Sequence, residues 1–268
     1  MKDSTICFYH KSDLDGVCSG AIVKNNIPNC TLYGIAYNDE FPWHKVTKNQ
    51  TIYMVDFSLP PIEMDKLNKM SQLIWIDHHL TAINSCDPKI KGLRDNSYAA
   101  CELTWKWFSL NRPTLQKMNG KEEKLLDLNP VIKLLGRYDI WDDHNEDWRY
   151  NILPFQYGFR SLPDAYVPES KFWQFKILES KNKIELQFFI QNRIEIGREI
   201  LAFQSNQTEH IAKNGAFELF IEINGDNTTK WWLSIPKISS QLPTNKFVGF
   251  LTQQDEKKTR YNAAICFT

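Results

Sequence analysis

Short apolar runs recur along the first third of the chain, separated by polar segments with helical spacing. The runs cover residues 6–9, 51–55 and 73–76. Apolar runs of this length, bounded by turn residues, are typical of buried strands. Strands that alternate with helical segments favour a mostly parallel sheet covered by helices on both faces. The pattern therefore predicts an α/β fold for the N-terminal part of the protein.

Helices are predicted between and after these strands. Residues 61–70 follow the turn segment Ser58-Leu59-Pro60, and apolar residues recur at helical spacing over 99–108 and over 170–203. We expect one helix in each of the first two segments and one or two helices in the third. The polar stretch 112–127 is predicted to be a surface connection.

The pattern changes to strand-like alternation after residue 215. Strands are predicted at 217–223, 231–235, 247–251 and 261–267, with turns at 224–227 and 255–258. The chain is long enough for two domains. We therefore predict an N-terminal domain over 1–160, a helical linker over 161–205 and a smaller α+β domain over 206–268.

Acidic and imidazole side chains follow each of the three N-terminal strands. In chain order they are His10, Asp13 and Asp15, then Asp56, then Asp77, His78 and His79. Ligand sites in open α/β sheets lie at the carboxyl ends of the strands. Imidazole with carboxylates and no thiolate suits Mn²⁺, with Mg²⁺, Co²⁺ or Zn²⁺ as substitutes. This set exceeds the needs of one ion, so we expect two ions that share a bridging carboxylate.

Each segment taken alone also has an ordinary structural interpretation. The dipeptide Asp15-Gly16 is common in turns, and a histidine beside an aspartate often lies in a surface loop or at a helix cap. For any single segment this interpretation outweighs the functional one. Three such segments at successive strand ends favour a metal centre.

These residues resemble the DHH phosphoesterases, a family named for the tripeptide that stands here as Asp77-His78-His79. His10-x-x-Asp13-x-Asp15-Gly16 is similar to the first family motif, and Asp56 in Val-Asp-Phe-Ser is similar to the second. A fourth motif is usually one aspartate after a helix. Asp139 matches it, although Asp142 and Asp143 lie close enough in the sequence to compete for that role.

The resemblance implies a role for each matched residue. His10 and Asp13 would hold one ion, Asp15, His78 and Asp139 would hold the other, and Asp56 would bridge both. It also implies that His79 faces the scissile phosphate and that Asp77 orients an imidazole. His79, Asp77 and Asp56 would then act in catalysis.

Three arginines are candidate phosphate clamps beside His79, because guanidinium groups pair with phosphate oxygens in a bidentate manner. They are Arg94, Arg137 and Arg160. Aromatic residues are frequent between Trp141 and Tyr157, where base stacking on exposed rings could hold a short single strand. For any one of these residues, packing at the domain interface is the favoured interpretation, and Phe155 and Tyr157, near Arg160, are the candidate pair for stacking.

The C-terminal part matches the family less completely. Many members carry a second domain, DHHA1, with a glycine-rich segment containing a histidine that contacts the substrate. The chain contains no Gly-Gly-Gly-His segment. The resemblance thus implies a partial DHHA1-like domain over 206–268, either in a truncated version of a longer protein or in a shortened variant.

The charge composition limits the classes of partner that the protein is expected to bind. The 268 residues carry 32 Lys and Arg against 32 Asp and Glu, so no global field attracts a long duplex nucleic acid. A short nucleotide or oligonucleotide fits this charge balance better.

No apolar run approaches the roughly 18 residues that span a bilayer, and no signal peptide is recognisable, so we expect a cytoplasmic protein without a membrane partner. The six cysteines form no Cys-x-x-Cys pair and are expected to be reduced. The oligomeric state, a homodimer included, is left open.

Three functions are compatible with this sequence. The first is a two-metal phosphodiesterase, similar to nanoRNases, that hydrolyses short oligonucleotides, dinucleotides or small nucleotide messengers to mononucleotides. The second is a phosphoanhydride hydrolase acting on pyrophosphate or polyphosphate, which would need converging Lys and Arg side chains. The third is a nucleotide-sensing module without catalysis, which the intact set of ligand residues disfavours.

Overall fold

The computed structural model describes residues 5–111, 128–221, 231–236, 247–253 and 261–267. The chain divides into two compact units, Met1–Leu201 and Ala202–Thr268. The three-part division at residues 160 and 205 stays a prediction.

A five-stranded parallel sheet forms the centre of the first unit. Its strands are β1 (Thr5–His10), β2 (Thr31–Ile35), β3 (Thr51–Val55), β4 (Gln72–Asp77) and β5 (Gly92–Arg94). They lie in the order β2-β1-β3-β4-β5, and all neighbours are parallel. The predicted α/β class is confirmed. Strands β2 and β5 have no counterpart in the sequence-based prediction, because β2 is mostly part-exposed and β5 has only three residues.

The strand register aligns the ends of β1, β3 and β4, which are followed by the acidic and imidazole residues. Tyr9 on β1 pairs with Val55 on β3, and Val55 pairs with Ile76 on β4. The residues that follow these positions therefore leave the sheet at the same edge. This alignment brings the first, second and third sequence motifs together.

Seven helices accompany the strands in the described residues. They are α1 (Leu14–Asn26), α2 (Pro61–Met70), α3 (Leu80–Ser85), α4 (Ala100–Leu110), α5 (Pro130–Asp139), α6 (Leu153–Arg160) and α7 (Lys183–Gly215). Short helical turns also occur at Trp43–Lys45, Trp148–Ile152, Pro163–Tyr166 and Phe172–Leu178. The helices predicted at 61–70 and 99–108 are confirmed as α2 and α4, and the segment 170–203 contains one short turn and most of α7.

Both faces of the sheet are buried. On β3, Met54 packs in one apolar cluster with Met64 and Leu67 of α2, whereas Tyr53 belongs to a second cluster with Leu103 of α4. Successive strand residues point to opposite faces, so this split shows helices on each side. Helix α1 lies inside a third cluster with residues of α4, α5, α6 and α7.

The second unit contains strands in two antiparallel pairs. β6 (Ala216–Ile221) pairs with β7 (Trp231–Pro236), and β8 (Phe247–Gln253) pairs with β9 (Tyr261–Phe267). These pairs confirm the four predicted strands. The predicted turns at 224–227 and 255–258, and the surface connection at 112–127, lie outside the described residues.

Two further features bear on the expectations from composition. Within the described parts of the chain, no helix has the length and apolar character that crossing a membrane requires. The cysteines at positions 7, 18, 30, 86 and 101 are buried free thiols.

Gly16 is required by a close approach between α1 and the end of β1. A methyl group there would lie 2.1 Å from the His10 carbonyl oxygen. We predict that Gly16→Ala lowers the free energy of unfolding by about 1–3 kcal/mol, because the backbone of one element must shift. Urea denaturation measures this loss.

Ser19→Ala is the matched control on the same helix. The Ser19 hydroxyl is buried and has no hydrogen-bond partner among the described residues, so its removal should be neutral or stabilising. Equal stabilities of Gly16→Ala and Ser19→Ala would contradict the packing argument.

Candidate metal centre

Asp56 lies at the middle of the site, directly after β3. Its side chain is 1% exposed, and its backbone has a φ of 52°, a left-handed conformation that is rare for residues other than glycine. Its N–H donates to the Ile76 carbonyl at 3.0 Å, which ties the strained residue to β4. Such strain costs about 1–3 kcal/mol and is concentrated at functional sites.

The loop between β1 and α1 supplies the first group of ligands. Asp13 is the N-cap of α1, where its Oδ1 accepts a hydrogen bond from the Gly16 N–H at 2.9 Å. Its Oδ2 lies 2.8 Å from His10 Nδ1, which is also 3.5 Å from Asp56 Oδ2. His10, Asp13 and Asp56 thus form one set of three whose ligand atoms lie within 4.8 Å of one another.

Asp15, His78 and Asp139 form a second such set. His78 Nε2 lies 3.7 Å from Asp15 Oδ2, 3.2 Å from Asp139 Oδ2 and 3.4 Å from Asp56 Oδ1. The buried Asp15 carboxylate accepts hydrogen bonds from the N–H groups of Ala100 and Cys101 at 2.8 and 2.7 Å. These donors belong to the first turn of α4, where free N–H groups and the helix dipole favour an anion.

Asp77 is fully buried and serves as an anchor for the neighbouring histidines. Its Oδ1 accepts from the backbone N–H groups of His78 and His79 and lies 2.7 Å from His79 Nδ1. Its Oδ2 accepts from the Trp75 indole at 3.1 Å. The imidazole partner of Asp77 is therefore His79. This contact leaves His79 Nε2 available for another group.

A third set of three consists of Asp56, His78 and His79. The Nδ1 atom of His79 is 3.8 Å from Asp56 Oδ1 but only 2.7 Å from Asp77 Oδ1. Because Asp77 holds this nitrogen, the first two sets are the better candidates for binding ions. Asp56 belongs to the first of these sets, and its Oδ1 lies 3.4 Å from His78 Nε2 of the second, so its carboxylate could reach both ions.

The donor set fits divalent cations. Asp56 Oδ1 is buried and has no hydrogen-bond partner in the described structure, so it retains an open acceptor. Burial raises the pKa of Asp56 well above its usual value, and burial together with neighbouring carboxylates raises the pKa of Asp15 and Asp139 to about 8. Crowded carboxylates that lack a compensating charge retain protons. A bound cation would replace those protons.

Both outer histidines are held as cations by their partners. The interaction with the Asp13 carboxylate, followed by that with Asp56, raises the pKa of His10 to about 10. The hydrogen bond that His79 donates to Asp77 raises the pKa of His79 to about 9. His10 must lose its proton to bind a metal, whereas His79 would keep its charge beside Asp77.

Asp139 reaches the site from the last residue of α5. An ion pair holds this end of α5 in place, because Arg137 contacts the buried Glu102 of α4 at 2.6 Å. A methyl group at Gly136 would lie 2.7 Å from the Glu102 side chain, so the two helices pack closely at this point. Asp142 instead lies near Arg137 at 3.8 Å. Neither Asp142 nor Asp143 belongs to a potential metal group among the described residues.

The predicted phosphate clamps have protein partners. Arg94 donates to the backbone carbonyls of Trp75, Pro88 and Ile90 at 2.7–3.2 Å, and Arg137 pairs with Glu102. The Arg160 guanidinium lies 5.2 Å from the centre of the Tyr138 ring. Their clamp roles stay predictions.

The expectation that Phe155 is a stacking surface is wrong. Phe155 has no exposed surface and packs against Phe159 in the core of the first unit. Helical spacing within α6 places this ring inward, which a count of aromatic residues does not show. Tyr157, on the same helix, is half-buried.

One residue at the site lies outside all of the sequence motifs. The Tyr37 ring lies 5.4 Å from the His10 ring and 6.3 Å from the His79 ring, and its side chain is 54% exposed. It follows β2, the strand that the apolar pattern does not reveal. Recognition of β2 would have placed Tyr37 at the same sheet edge.

Metal binding should release protons, because Asp15, Asp56, Asp139 and His10 hold protons that a cation displaces. For the carboxyls, folded pKa values raised above the unfolded values mean that the metal-free protein loses stability as pH rises from about 4 to about 8. We therefore predict a larger Mn²⁺-induced rise in melting temperature at pH 8 than at pH 6. Calorimetry in buffers of different ionisation enthalpy should count released protons. A rise independent of pH, without proton release, would contradict this description.

The choice between Asp139 and Asp142 can be tested by Mn²⁺ titration. Asp139→Asn should weaken the binding of one ion about tenfold or more, since it removes a charged ligand. Asp142→Asn is the matched control, because it changes the same functional group three residues away. It should bind Mn²⁺ within about twofold of the wild type. The reverse order of effects would reassign the ligand to Asp142.

Comparison with known proteins supports the nature of this centre. Residues 4–130 match the family model described as the DHH family, N-terminal domain. This range contains the first three motifs, whereas Asp139 lies beyond it. No curated protein matches the sequence.

Among solved structures, the crystal structure of an uncharacterized protein from Helicobacter pylori G27 gives a match. It has 14% sequence identity and a TM-score of 0.48 over 72% of this chain. The present chain spans only 62% of the length of that structure. The family match therefore identifies residues 4–130, which carry the first three motifs, as a DHH family N-terminal domain.

Proposed function

We propose that this protein is a two-metal phosphodiesterase that hydrolyses short oligonucleotides, dinucleotides or small nucleotide messengers to mononucleotides. The single observation that carries the proposal is the position of Asp56, which belongs to the ligand set of His10 and Asp13 and whose Oδ1 lies 3.4 Å from His78 Nε2 of the other set. A shared carboxylate between two sets is the arrangement of two-metal phosphoryl-transfer sites, whose ions lie about 3.5–4 Å apart. The match of residues 4–130 to the DHH family, N-terminal domain, supports the same chemical class.

The residues divide into holding and positioning roles. His10 and Asp13 would hold one ion, and Asp15, His78 and Asp139 would hold the other. When bound, such ions supply a water of lowered pKa and offset charge on the phosphorus. Mn²⁺ suits the mixture of imidazole and carboxylate best, with Mg²⁺ or Co²⁺ as substitutes.

His79 is the proposed contact for the scissile phosphate. Its side chain is 38% exposed, so it can reach a substrate, and its Nδ1 is bound to the buried Asp77. In the absence of metal, that hydrogen bond raises the pKa of His79 to about 9. Its Nε2–H would donate to a phosphoryl oxygen and stabilise the negative charge that grows there. Asp77 fixes both the charge and the direction of this donor.

Charge supports a diester over a polyphosphate. A polyphosphate carries many negative charges and would require several converging cations. Two of the three nearby arginine candidates, Arg94 and Arg137, already bind carbonyl or carboxylate groups of the protein. The overall charge of zero also disfavours a long duplex. A short substrate with one or two phosphates near the centre requires fewer basic side chains.

A substrate panel tests the proposal directly. The panel contains a linear dinucleotide, a cyclic dinucleotide, a short oligoribonucleotide and pyrophosphate, each with Mn²⁺ and with a chelator. We predict Mn²⁺-dependent release of mononucleotides, read by chromatography, and no turnover with the chelator. Asp56→Asn should reduce the rate about 100-fold or more, because it removes the shared charged ligand.

Asp142→Asn is the matched control and should retain nearly full activity. Cleavage of pyrophosphate alone would replace the diesterase with a phosphoanhydride hydrolase. Full activity of Asp56→Asn would remove the two-metal basis of the proposal. Nucleotide binding without any turnover would instead favour a sensing module.

A further inference from the structure

Tyr37 forms part of the rim of the metal centre. Its ring contacts the imidazoles of His10 and His79 on one side of the site. It also packs against the Phe57 ring at 4.9 Å, and Phe57 is almost fully buried. More than half of the Tyr37 surface nevertheless remains exposed. An aromatic surface therefore lies beside the histidine that would contact a phosphate.

The segment that carries Tyr37 is held by several polar contacts. Asp39 accepts a hydrogen bond from the Ala36 N–H at 3.0 Å, and the Asp39 N–H donates to the Ala36 carbonyl at 2.9 Å. Lys11 forms an ion pair with Asp39 at 2.5 Å, and its own N–H donates to the Ile35 carbonyl. These contacts tie the turn to the loop that carries His10 and Asp13. The ring is thus positioned before any ligand arrives.

We propose that the Tyr37 ring is the stacking surface for the base of a nucleotide whose phosphate lies at the metal centre. This inference rests on the proposed function and narrows its substrate class to phosphoesters that carry a base next to the reacting phosphate. An exposed ring accepts any base, because every base has a π-face. Pyrophosphate has no base that could stack on the Tyr37 ring. Tyr37 would therefore favour nucleotides over simple phosphates.

Equilibrium binding separates this role from catalysis. The affinities of AMP and ribose 5-phosphate for the Mn²⁺-loaded full chain are measured by calorimetry, since the two ligands share the phosphate and sugar but only AMP has a base. The wild type should bind AMP about tenfold or more tightly than ribose 5-phosphate, in the range expected for stacking one base. Tyr37→Leu should bring the two affinities within about twofold of each other.

Two variants serve as controls. Tyr37→Phe keeps the ring and should retain the preference for AMP, because stacking does not need the hydroxyl. Tyr166→Leu removes another partly exposed tyrosine, outside the metal groups, and should behave as the wild type. Mn²⁺ affinity is measured for each variant in parallel.

Three outcomes would overturn the role of Tyr37. The first is an undiminished preference for AMP in Tyr37→Leu, and the second is no such preference in the wild type. The third is an equal loss of affinity for both ligands together with weaker Mn²⁺ binding, which would show that Tyr37 only supports His10 and His79. Failure of the proposed function is separate: the wild type would hydrolyse no nucleotide in the panel, while the AMP preference and its dependence on Tyr37 would still be measurable.

Discussion

Mutual repulsion of carboxylates at one sheet edge is the constraint on which this structure depends. Three aspartates there are fully buried, namely Asp15, Asp56 and Asp77, and Asp13 and Asp139 are partly buried beside them. Buried charges are costly unless they are paired or bind a metal. In the metal-free protein, protons on Asp15, Asp56, Asp139 and His10 provide part of the compensation. Divalent cations would provide the rest. The site therefore favours metal binding and does not by itself stabilise the folded protein.

The surrounding fold supplies a separate support for each carboxylate. The first turn of α1 binds Asp13, the first turn of α4 binds Asp15, and the Trp75 indole binds Asp77. Each support comes from an element that also packs in the core, so the positions of the ligands are coupled to the packing of the helices. Asp56 differs, because its backbone is strained and one carboxylate oxygen lacks a hydrogen bond. The buried carboxylate oxygen of Asp56 that lacks a hydrogen bond thus belongs to the residue best placed to contact two ions.

The alternation of apolar runs was sufficient to predict the α/β class and the three central strands, because buried parallel strands are almost continuously apolar. Motif residues at their ends were sufficient to predict a metal centre, since strand ends converge in any parallel sheet. Strand β2 was missed because its side chains are mostly part-exposed, and Tyr37 was missed with it. The partners of Arg94 and Arg137, and the burial of Phe155, depend on tertiary packing that no local pattern encodes.

Anomalous scattering from a crystal of the Mn²⁺-loaded full chain tests the central claim most directly, because it locates each ion without reference to activity. The shared position of Asp56 predicts two manganese peaks about 3.5–4 Å apart, both in contact with the Asp56 carboxylate. One peak would lie beside His10 and Asp13, and the other beside Asp15, His78 and Asp139. A single peak, or two peaks that do not share Asp56, would contradict the two-metal centre.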